Sequence, residues 1–253
     1  MNIRIATLTL LAGVSLLISW LTAPAAAQSG LAISSNHLTY LPLVNYDLPL
    51  IYTNVLVNGS FEEGWTDVPY LPGNLLNQQP NGWTLSWIEP GQPLYNLDYV
   101  ADGVPECVHK LDDQLPPNEQ PGGPDALILD GIHTYKVFFG GAGLFGAELR
   151  QTVSGLIPGE TATLIVPIQV HQQTGTPDHV WHAYSGVWLN DTGGWLVAGV
   201  AGDRTWYDHQ VTVTVPDNGE VEVVIRFQTL LPVPFDYFID DVRLMSWRSQ
   251  PMD

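Results

Sequence analysis

The stretch "ETATLIVPIQVH", residues 160–171, alternates between two kinds of side chain with the period of a β-strand. One face of this strand carries only aliphatic side chains, namely Ala162, Leu164, Val166, Ile168 and Val170. "VTVTV" (211–215) and "EVEVVIRFQ" (220–228) alternate in the same way and are separated by the turn "PDNG". Beyond the first residues, no window of eleven residues keeps a helical period. The pattern predicts an all-β fold, either a sandwich or a barrel.

The composition limits the classes of partner. The chain has 253 residues, with 26 acidic against 8 basic side chains and a formal net charge of −18. Such a charge argues against nucleic acid and against anionic membrane surfaces, because both would repel the protein. The 9 Trp and 10 Tyr residues favour a β-rich core or a surface on which ligands stack.

The amino-terminal residues are typical of an export signal. Arg4 supplies a positive charge, an apolar run spans residues 5–21, and Ala25 and Ala27 are small residues placed for cleavage before Gln28. The alternative is a membrane anchor, because the run approaches the length that spans a bilayer. We expect residues 1–27 to be a cleaved signal peptide, and the product to be secreted or cell-surface associated, without membrane insertion. Its single cysteine, Cys107, allows no intramolecular disulfide.

The remaining chain divides into three parts. Residues 28–53 are interpreted as a linker or an added N-terminal strand, residues 54–247 as one domain and residues 248–253 as a tail. Within the domain, segments 66–82 and 109–125 are rich in proline and are predicted to be long loops.

Carboxylates occur at both ends of the domain. In "NVLVNGSFEEGW" (54–65), Glu62 follows the first strand, and in "FDYFIDDVRL" (235–244) Asp240 has the parity of Phe238 and Leu244, which suggests that it faces the core. A buried carboxylate needs a partner, and carboxylate oxygens suit Ca²⁺, which is abundant outside cells. The alternative is a pair of solvated acids at strand ends.

Three stretches resemble the family 4/9 carbohydrate-binding modules: "LVNGSFEEGW", "LRQTVSGLIPGETATLIVPIQV" and "FDYFIDDVRL". Their order and spacing cover residues 54–245. The resemblance implies a jelly-roll β-sandwich of two antiparallel sheets and a non-catalytic role in binding glycans. It also implies a structural Ca²⁺ held by Glu62 and Asp240, with Asp241 as a lesser candidate.

Strand parity indicates where a glycan would bind. In "HVWHAYSGVWL" (179–189), Trp181 falls on the face expected to be buried, and the other face carries His182, Tyr184 and Trp188. The non-core faces of the strands at 160–171 and 220–228 carry planar polar side chains, namely Gln169, His171, Arg226 and Gln228. If these strands share a sheet, their rings and polar groups can stack on sugars and bond their hydroxyls. Two alternatives stay open, since Trp188 could lie under a loop and Arg226 could pair with an acid.

The predicted function is therefore recognition of a polysaccharide or a cell-surface glycan, not catalysis. A second hypothesis is an extracellular adhesion or structural protein, which predicts an open face filled by aliphatics or covered by segments 66–82 and 109–125. The glycan-binding hypothesis predicts exposed Tyr184 and Trp188. A third hypothesis, a glycoside hydrolase or polysaccharide lyase, requires acids, or an acid and a base, that converge in one cleft.

Overall fold

A computed structural model describes residues 50–70, 75–96, 98–173 and 177–249. The predicted signal peptide and residues 28–49 lie outside the described residues. Fourteen strands occur in order: β1 Leu50–Asn54, β2 Trp65–Tyr70, β3 Leu75–Pro80, β4 Thr84–Trp87, β5 Glu106–Leu111, β6 His133–Phe138, β7 Gly146–Val153, β8 Thr161–Gln172, β9 Ala183–Leu189, β10 Thr192–Val197, β11 Tyr207–Thr214, β12 Val221–Thr229, β13 Phe235–Ile239 and β14 Arg243–Ser249. Three short 3₁₀ helices span Asp112–Gln114, Pro177–His182 and Ala198–Val200. None of the helices described here is long and apolar enough to cross a membrane.

The strands form a β-sandwich. A seven-stranded sheet has the order β1-β14-β8-β13-β6-β5, with β11 also paired to β8, and a five-stranded sheet has the order β10-β9-β12-β7-β4. All of these pairings are antiparallel. The chain passes back and forth between the two sheets, as in a jelly roll. The predicted fold class is confirmed.

The alternation in β8 builds one wall of the core. Its five aliphatic side chains on one parity, from Ala162 to Val170, are all fully buried. They share a hydrophobic cluster with Val223, Ile225 and Phe227 of β12 in the other sheet. Burial of this apolar area is the main favourable term in folding, because each side chain leaves water on a face that only another sheet can cover.

The parity of the last two strands changes between β13 and β14. Phe235, Tyr237 and Ile239 face the core, as do Val242 and Leu244 after the break. Between them Asp241 has φ 50°, a left-handed conformation that inserts an extra residue into the alternation. The prediction that Phe238 and Asp240 face the core was therefore wrong. Phe238 belongs instead to a separate cluster with Leu115, Leu127 and Ile128.

Segment 66–82, predicted to be a long loop, is mostly the hairpin β2–β3, whose tip at residues 71–74 lies outside the description. The side chains of Asn77 and Gln78 accept hydrogen bonds from the backbone N–H groups of Cys107 and His109, each at 2.7 Å. Gln79 accepts from Leu85 N at 3.0 Å. The hairpin thus caps β5 and β4, the edge strands of the two sheets, and protects both edges from further pairing.

Two further expectations changed at strand ends. Residues 50–53 belong to an added strand, since β1 pairs with β14 along its whole length. Trp181 was expected to be buried but is 51% exposed, because β9 begins only at Ala183 and Trp181 lies in the preceding 3₁₀ helix. Segment 109–125 starts as the end of β5 and then leaves the sheet as turns.

Candidate functional site

The outer face of the five-stranded sheet, which we call the open face, brings together four of the predicted ligand-binding side chains. Register places Tyr184 opposite Gln228, Gly186 opposite Arg226, and Trp188 opposite Val224. Tyr184, Trp188, Arg226 and Gln228 thus point away from the core on neighbouring strands. Tyr184 and Trp188 are half-buried, so they are less exposed than expected.

An aromatic cluster stands on the open face. Trp188 meets Trp195 edge-on, with ring centroids 5.2 Å apart. The Arg226 guanidinium carbon lies 5.1 Å from the Trp188 ring centroid and 4.6 Å from that of Tyr95, within range of a cation–π interaction. Room for the Trp188 ring comes from Gly186, where a Cβ atom would approach that ring to 2.3 Å. Because Gly186 has no side chain, the Trp188 ring can lie close to the backbone of the sheet.

Beside the aromatic cluster lies a network of charged side chains. Glu148, on β7, accepts from Arg226 Nε at 2.6 Å and from Arg150 at 3.0 Å. Arg150 also bonds Glu222 at 2.6 Å. The Glu148 side chain is only 9% exposed, so its charge depends on these partners. The network fixes the arginines in place, and because a guanidinium group has five N–H bonds, N–H donors of both arginines remain for further hydrogen bonds.

An open pocket of about 310 Å³ lies on this face and is lined by Trp188, Arg150, Arg226 and Glu222. Val224 forms part of its floor, and Asn190 and Asp191, the two residues between β9 and β10, form its rim. Asn190 has φ 51° and is fixed by two hydrogen bonds with the Glu222 backbone, each shorter than 3 Å. The pocket therefore combines one aromatic wall with hydrogen-bonding groups on fixed backbone.

Gln228 is covered although it lies on the open face. Its side-chain oxygen accepts from Tyr95 N at 3.2 Å, and its nitrogen donates to Asn96. The side chain is fully buried, so the Tyr95 segment and not Gln228 itself forms the surface at this end of the face.

The other predicted ligand-binding residues lie elsewhere. Gln169 and His171 are on β8 in the seven-stranded sheet, so the expectation that they share a face with Trp188 was wrong. They are bonded to each other at 2.6 Å and are buried. Burial, followed by the charges of Arg204 and Lys136, lowers the pKa of His171 to about 3, so this ring is neutral. His182 ends the 3₁₀ helix before β9 and is exposed outside the open face.

The predicted calcium ligands hold the segment between residues 129 and 133. Glu62 Oε1 accepts from the N–H groups of Ile132 and His133 at 2.8 and 2.6 Å, and Glu62 Oε2 lies 2.7 Å from His133 Nδ1. Asp240 Oδ2 accepts from the N–H groups of Leu129 and Asp130 at 2.6 and 3.0 Å. The two carboxylates therefore attach one loop to the sandwich from two sides.

These contacts are hydrogen bonds to N–H groups and to a histidine ring, and they do not form the coordination shell of a calcium ion. Asp240 Oδ1 accepts from Asp241 N at 2.7 Å, and the Asp241 carboxylate lies 3.4 Å from Arg243 Nε. Burial raises the pKa of Asp240 to about 7, although the N–H donors oppose that rise. Within the described ranges, no group of three or more His, Cys, Asp and Glu side chains is placed to hold a metal ion. Carboxylate oxygens suit Ca²⁺, but those of Glu62 and Asp240 accept hydrogen bonds from backbone N–H groups. Calcium binding therefore remains a prediction from the sequence.

Sequence reasoning missed Glu148, Arg150, Glu222 and Tyr95. Glu148 and Arg150 share a parity in "AELRQTV" (147–153), so the alternation of that strand could have placed both on an outer face. Tyr95 lies in an irregular segment whose sequence carries no periodic signal. Trp195 borders a turn, so its position in the sequence does not indicate whether it faces the core or a ligand.

No family model and no curated protein matches the sequence. Among solved structures, the chain is similar to a family 61 carbohydrate-binding module in complex with β-1,4-galactotriose, at 14% identity and TM-score 0.44, over 76% of this chain and 98% of that one. It is similar to the enzymatically active domain of bacteriophage CBA120 tailspike protein 4, at 14% identity and TM-score 0.42, over 76% of this chain but 21% of that one. A third is a family 4 carbohydrate-binding module, at 16% identity and TM-score 0.34, over 76% and 99% of the two chains. These likenesses concern the fold.

Proposed function

We propose that the protein binds a glycan on the open face of the five-stranded sheet, without chemical turnover. The observation that carries this proposal is the pocket in which Trp188, two arginines and Glu222 meet on neighbouring strands. An aromatic ring offers a sugar flat apolar area at a small loss of conformational entropy. The guanidinium and carboxylate groups bond ring hydroxyls, and the existing ion pairs hold those groups in position before the ligand arrives.

The charge balance at this pocket favours an uncharged sugar. Arg150 and Arg226 are compensated by Glu148 and Glu222. Neither sign of charge is left in excess among these four side chains, and Asp191 on the rim adds a negative charge, so the pocket suits hydroxyl groups better than an anionic ligand.

Catalysis at the open face is less well supported. A glycosidase needs one carboxyl group that donates a proton and a second that acts as base or nucleophile. Glu148 is bonded to both arginines and Glu222 pairs with Arg150, so these two carboxylates already have basic partners. Asp191 on the rim is the remaining acid of the pocket, and one carboxyl group does not supply the pair that a glycosidase needs.

The adhesion hypothesis is weakened by the lining of the open face. Val224 is the aliphatic side chain of the pocket, and its other lining residues are aromatic, charged or polar. Segment 109–125 contributes Leu115 to the cluster around Phe238, on the other sheet. The part of the chain that covers one end of the open face is Tyr95 with Asn96.

The test is a binding screen against soluble glycans and insoluble polysaccharides, followed by titration of the best ligand. Trp188→Ala is expected to weaken binding about tenfold, the equivalent of roughly 1.4 kcal/mol. Trp181→Ala is the matched control, because Trp181 is exposed but lies outside the open face. Equal losses in both variants, or no ligand for the well-folded protein, would contradict the proposal. Product release from the bound glycan would instead support an enzyme.

Export and calcium binding are proposed from the sequence and have their own tests. Secretion with cleavage before Gln28 is checked by mass determination of the protein recovered outside the cell. For calcium, the unfolding midpoint is compared in millimolar Ca²⁺ and in EDTA, since an ion at a hundredfold excess over its Kd stabilises by about 2.7 kcal/mol. Equal midpoints would leave hydrogen bonds to N–H groups as the whole role of Glu62 and Asp240.

A further inference from the structure

A second pocket, of about 310 Å³, lies on the outer face of the seven-stranded sheet. Three of the chain's eight basic residues line it, Lys110 on β5, Lys136 on β6 and Arg204 in the segment before β11. This concentration of positive charge is unexpected in a protein of net charge −18. We call it the basic pocket.

Two of these three cations are incompletely neutralised. Lys136 is paired with Asp236 at 2.7 Å. The Lys110 ammonium has no acidic partner within ion-pair distance among the described residues. Arg204 lies 3.5 Å from Glu119 and 3.7 Å from Asp203, longer than the ~2.7–2.9 Å of a strong charge-assisted hydrogen bond. The pocket therefore retains positive potential that no residue lining it removes.

The backbone holds Arg204 in an unfavourable conformation. Its φ is 55°, a left-handed value that is unfavourable for a residue with a side chain. A hydrogen bond from Arg204 N to Val170 O, at 2.9 Å, fixes this conformation. Neighbouring Asp203 accepts from Gln172 N at 2.8 Å. Strain that the surrounding contacts maintain is often found where a side chain must be presented to a ligand.

The floor of the basic pocket has the composition that sugars require. The rings of His171 and Phe238 pack with centroids 4.8 Å apart and both line the pocket, but they are 3% and 4% exposed, so each presents only a small part of its surface there. The amide of Gln173 lines the pocket and donates to Asp236 Oδ2 at 2.7 Å. Ring surface and planar amides are suited to a pyranose, whereas a phosphate group alone would need only the cations.

The charges that line the pocket fix the charge of the ligand. Lys136 pairs with Asp236, and Arg204 lies near Glu119 and also near Asp203, which is outside the lining, so the excess positive charge of the pocket is that of Lys110. A monoanion is attracted by this lining, whereas a dianion would be repelled by the two carboxylates once the single excess charge is compensated.

From these contacts we infer that the basic pocket binds a singly charged acidic sugar, a uronic acid unit of a glycan chain. Its carboxylate pairs with Lys110 and Arg204, and its ring lies toward His171 and Phe238. This site is on the opposite sheet from the open face, and it does not depend on the function proposed there.

The test uses a galactose tetramer that contains one galacturonic acid unit, the acidic tetramer, and an all-galactose tetramer, the neutral tetramer, each titrated into the whole protein by calorimetry at low salt. The acidic tetramer is expected to bind, and Lys110→Gln and Arg204→Gln are each expected to weaken it at least fivefold. Arg248→Gln is the matched control, because it removes the same charge on β14, outside the residues that line the pocket. Trp188→Ala separates the two sites, since it should leave the affinity for the acidic tetramer unchanged.

The inference is overturned if the acidic tetramer does not bind at millimolar concentration, or if Arg248→Gln weakens it as much as the two pocket variants do. It is also overturned if the neutral tetramer binds equally well and responds to Lys110→Gln. Loss of acidic binding in Trp188→Ala alone would move the acidic ligand to the open face. Lys110 lies on β5 and Arg204 in the segment before β11, so if one of the two variants misfolds, the other still tests the inference.

Discussion

The outer faces of the two sheets differ, because one is covered by a chain segment and the other carries an open pocket. Over the seven-stranded sheet, Leu115, Leu127 and Ile128 of the 112–130 segment pack on Phe238, and Trp206 joins them. The segment is tied down by Asp240, which binds its backbone, and by Trp206 Nε1, which donates to Ala126 O at 2.9 Å. The covering forms a second small core.

Among the residues that the structure describes, no such cover lies over Trp188 and Arg226 on the five-stranded sheet. Its outer side chains form ion pairs and aromatic contacts with each other, and an open pocket remains between them. The difference shows that an apolar outer face is covered to remove it from water, whereas a charged and aromatic face can stay accessible. The cover adds stability to the seven-stranded sheet, whereas the open face leaves its side chains accessible for the binding proposed above.

The largest effect is expected for Leu127→Ala, which removes a fully buried side chain from the covering segment. A Leu→Ala change at such a site costs about 2–5 kcal/mol, because transfer energy is lost and a cavity remains. Leu129→Ala, at a leucine that is 45% exposed two residues away, should change the free energy of unfolding by less than about 0.5 kcal/mol. Urea unfolding measures both, and equal losses would refute a second core.

Acid should weaken the seven-stranded sheet through its buried histidines. Burial lowers the pKa of His109 on β5 and of His171 on β8 to about 3, and that of His209 on β11 to about 4. Between these values and about 6.5 the unfolded chain binds more protons than the native state, so the free energy of unfolding falls as the pH falls. At pH 5 each histidine is expected to cost about 1–2 kcal/mol, and Asp240, whose pKa is raised to about 7 by burial, offsets part of this loss because its native carboxyl group binds a proton first.

Urea unfolding at pH 7.5, 6 and 5 checks this slope. His209→Gln should flatten it, because glutamine does not titrate, and His182→Gln, a change at an exposed side chain, should leave it unchanged. A midpoint that stays constant down to pH 5 would mean that these rings accept protons in the folded state.

On the open face, Gly186→Ala should impair recognition more than stability. The added methyl group would meet the Trp188 ring at 2.3 Å and that of Trp195 at 2.9 Å, so both rings must move. We expect glycan affinity to fall about tenfold, or roughly 1.4 kcal/mol. Gly194→Ala on the neighbouring strand is the control, because its Cβ would meet nothing within 4 Å. Unchanged affinity in Gly186→Ala would place the ligand away from Trp188.

The smallest effect is expected for Glu62→Gln. The glutamine oxygen can still accept from Ile132 N and His133 N, so only the contact with His133 Nδ1 changes. We expect a loss of about 0.5–1.5 kcal/mol. Glu63→Gln, at an exposed neighbour, should have no measurable effect. A much larger loss that appears only in the presence of calcium would favour the metal site predicted from the sequence.

Much of the fold was readable from local patterns. The alternation in residues 160–171 and 220–228 predicted β8 and β12 and the face of β8 that is buried, because a strand turns every second side chain to the same side. The same rule placed Tyr184, Trp188, Arg226 and Gln228 on outer faces. Parity failed at Asp240, where one left-handed residue shifted the alternation, and Asp241 carries no turn signal such as glycine.

What the sequence by itself determined is the period of each strand, and with it which side chains can share a face. Only the tertiary structure decided which strands share a sheet: β9 and β12 do, which unites Trp188 with Arg226, whereas β8 lies opposite and carries Gln169 and His171 away. It also decided that Tyr95 covers Gln228 and that backbone N–H groups donate hydrogen bonds to Glu62 and Asp240. Parity is a property of neighbouring residues, whereas strand order and loop cover depend on contacts between residues far apart in the chain, which a local pattern does not encode.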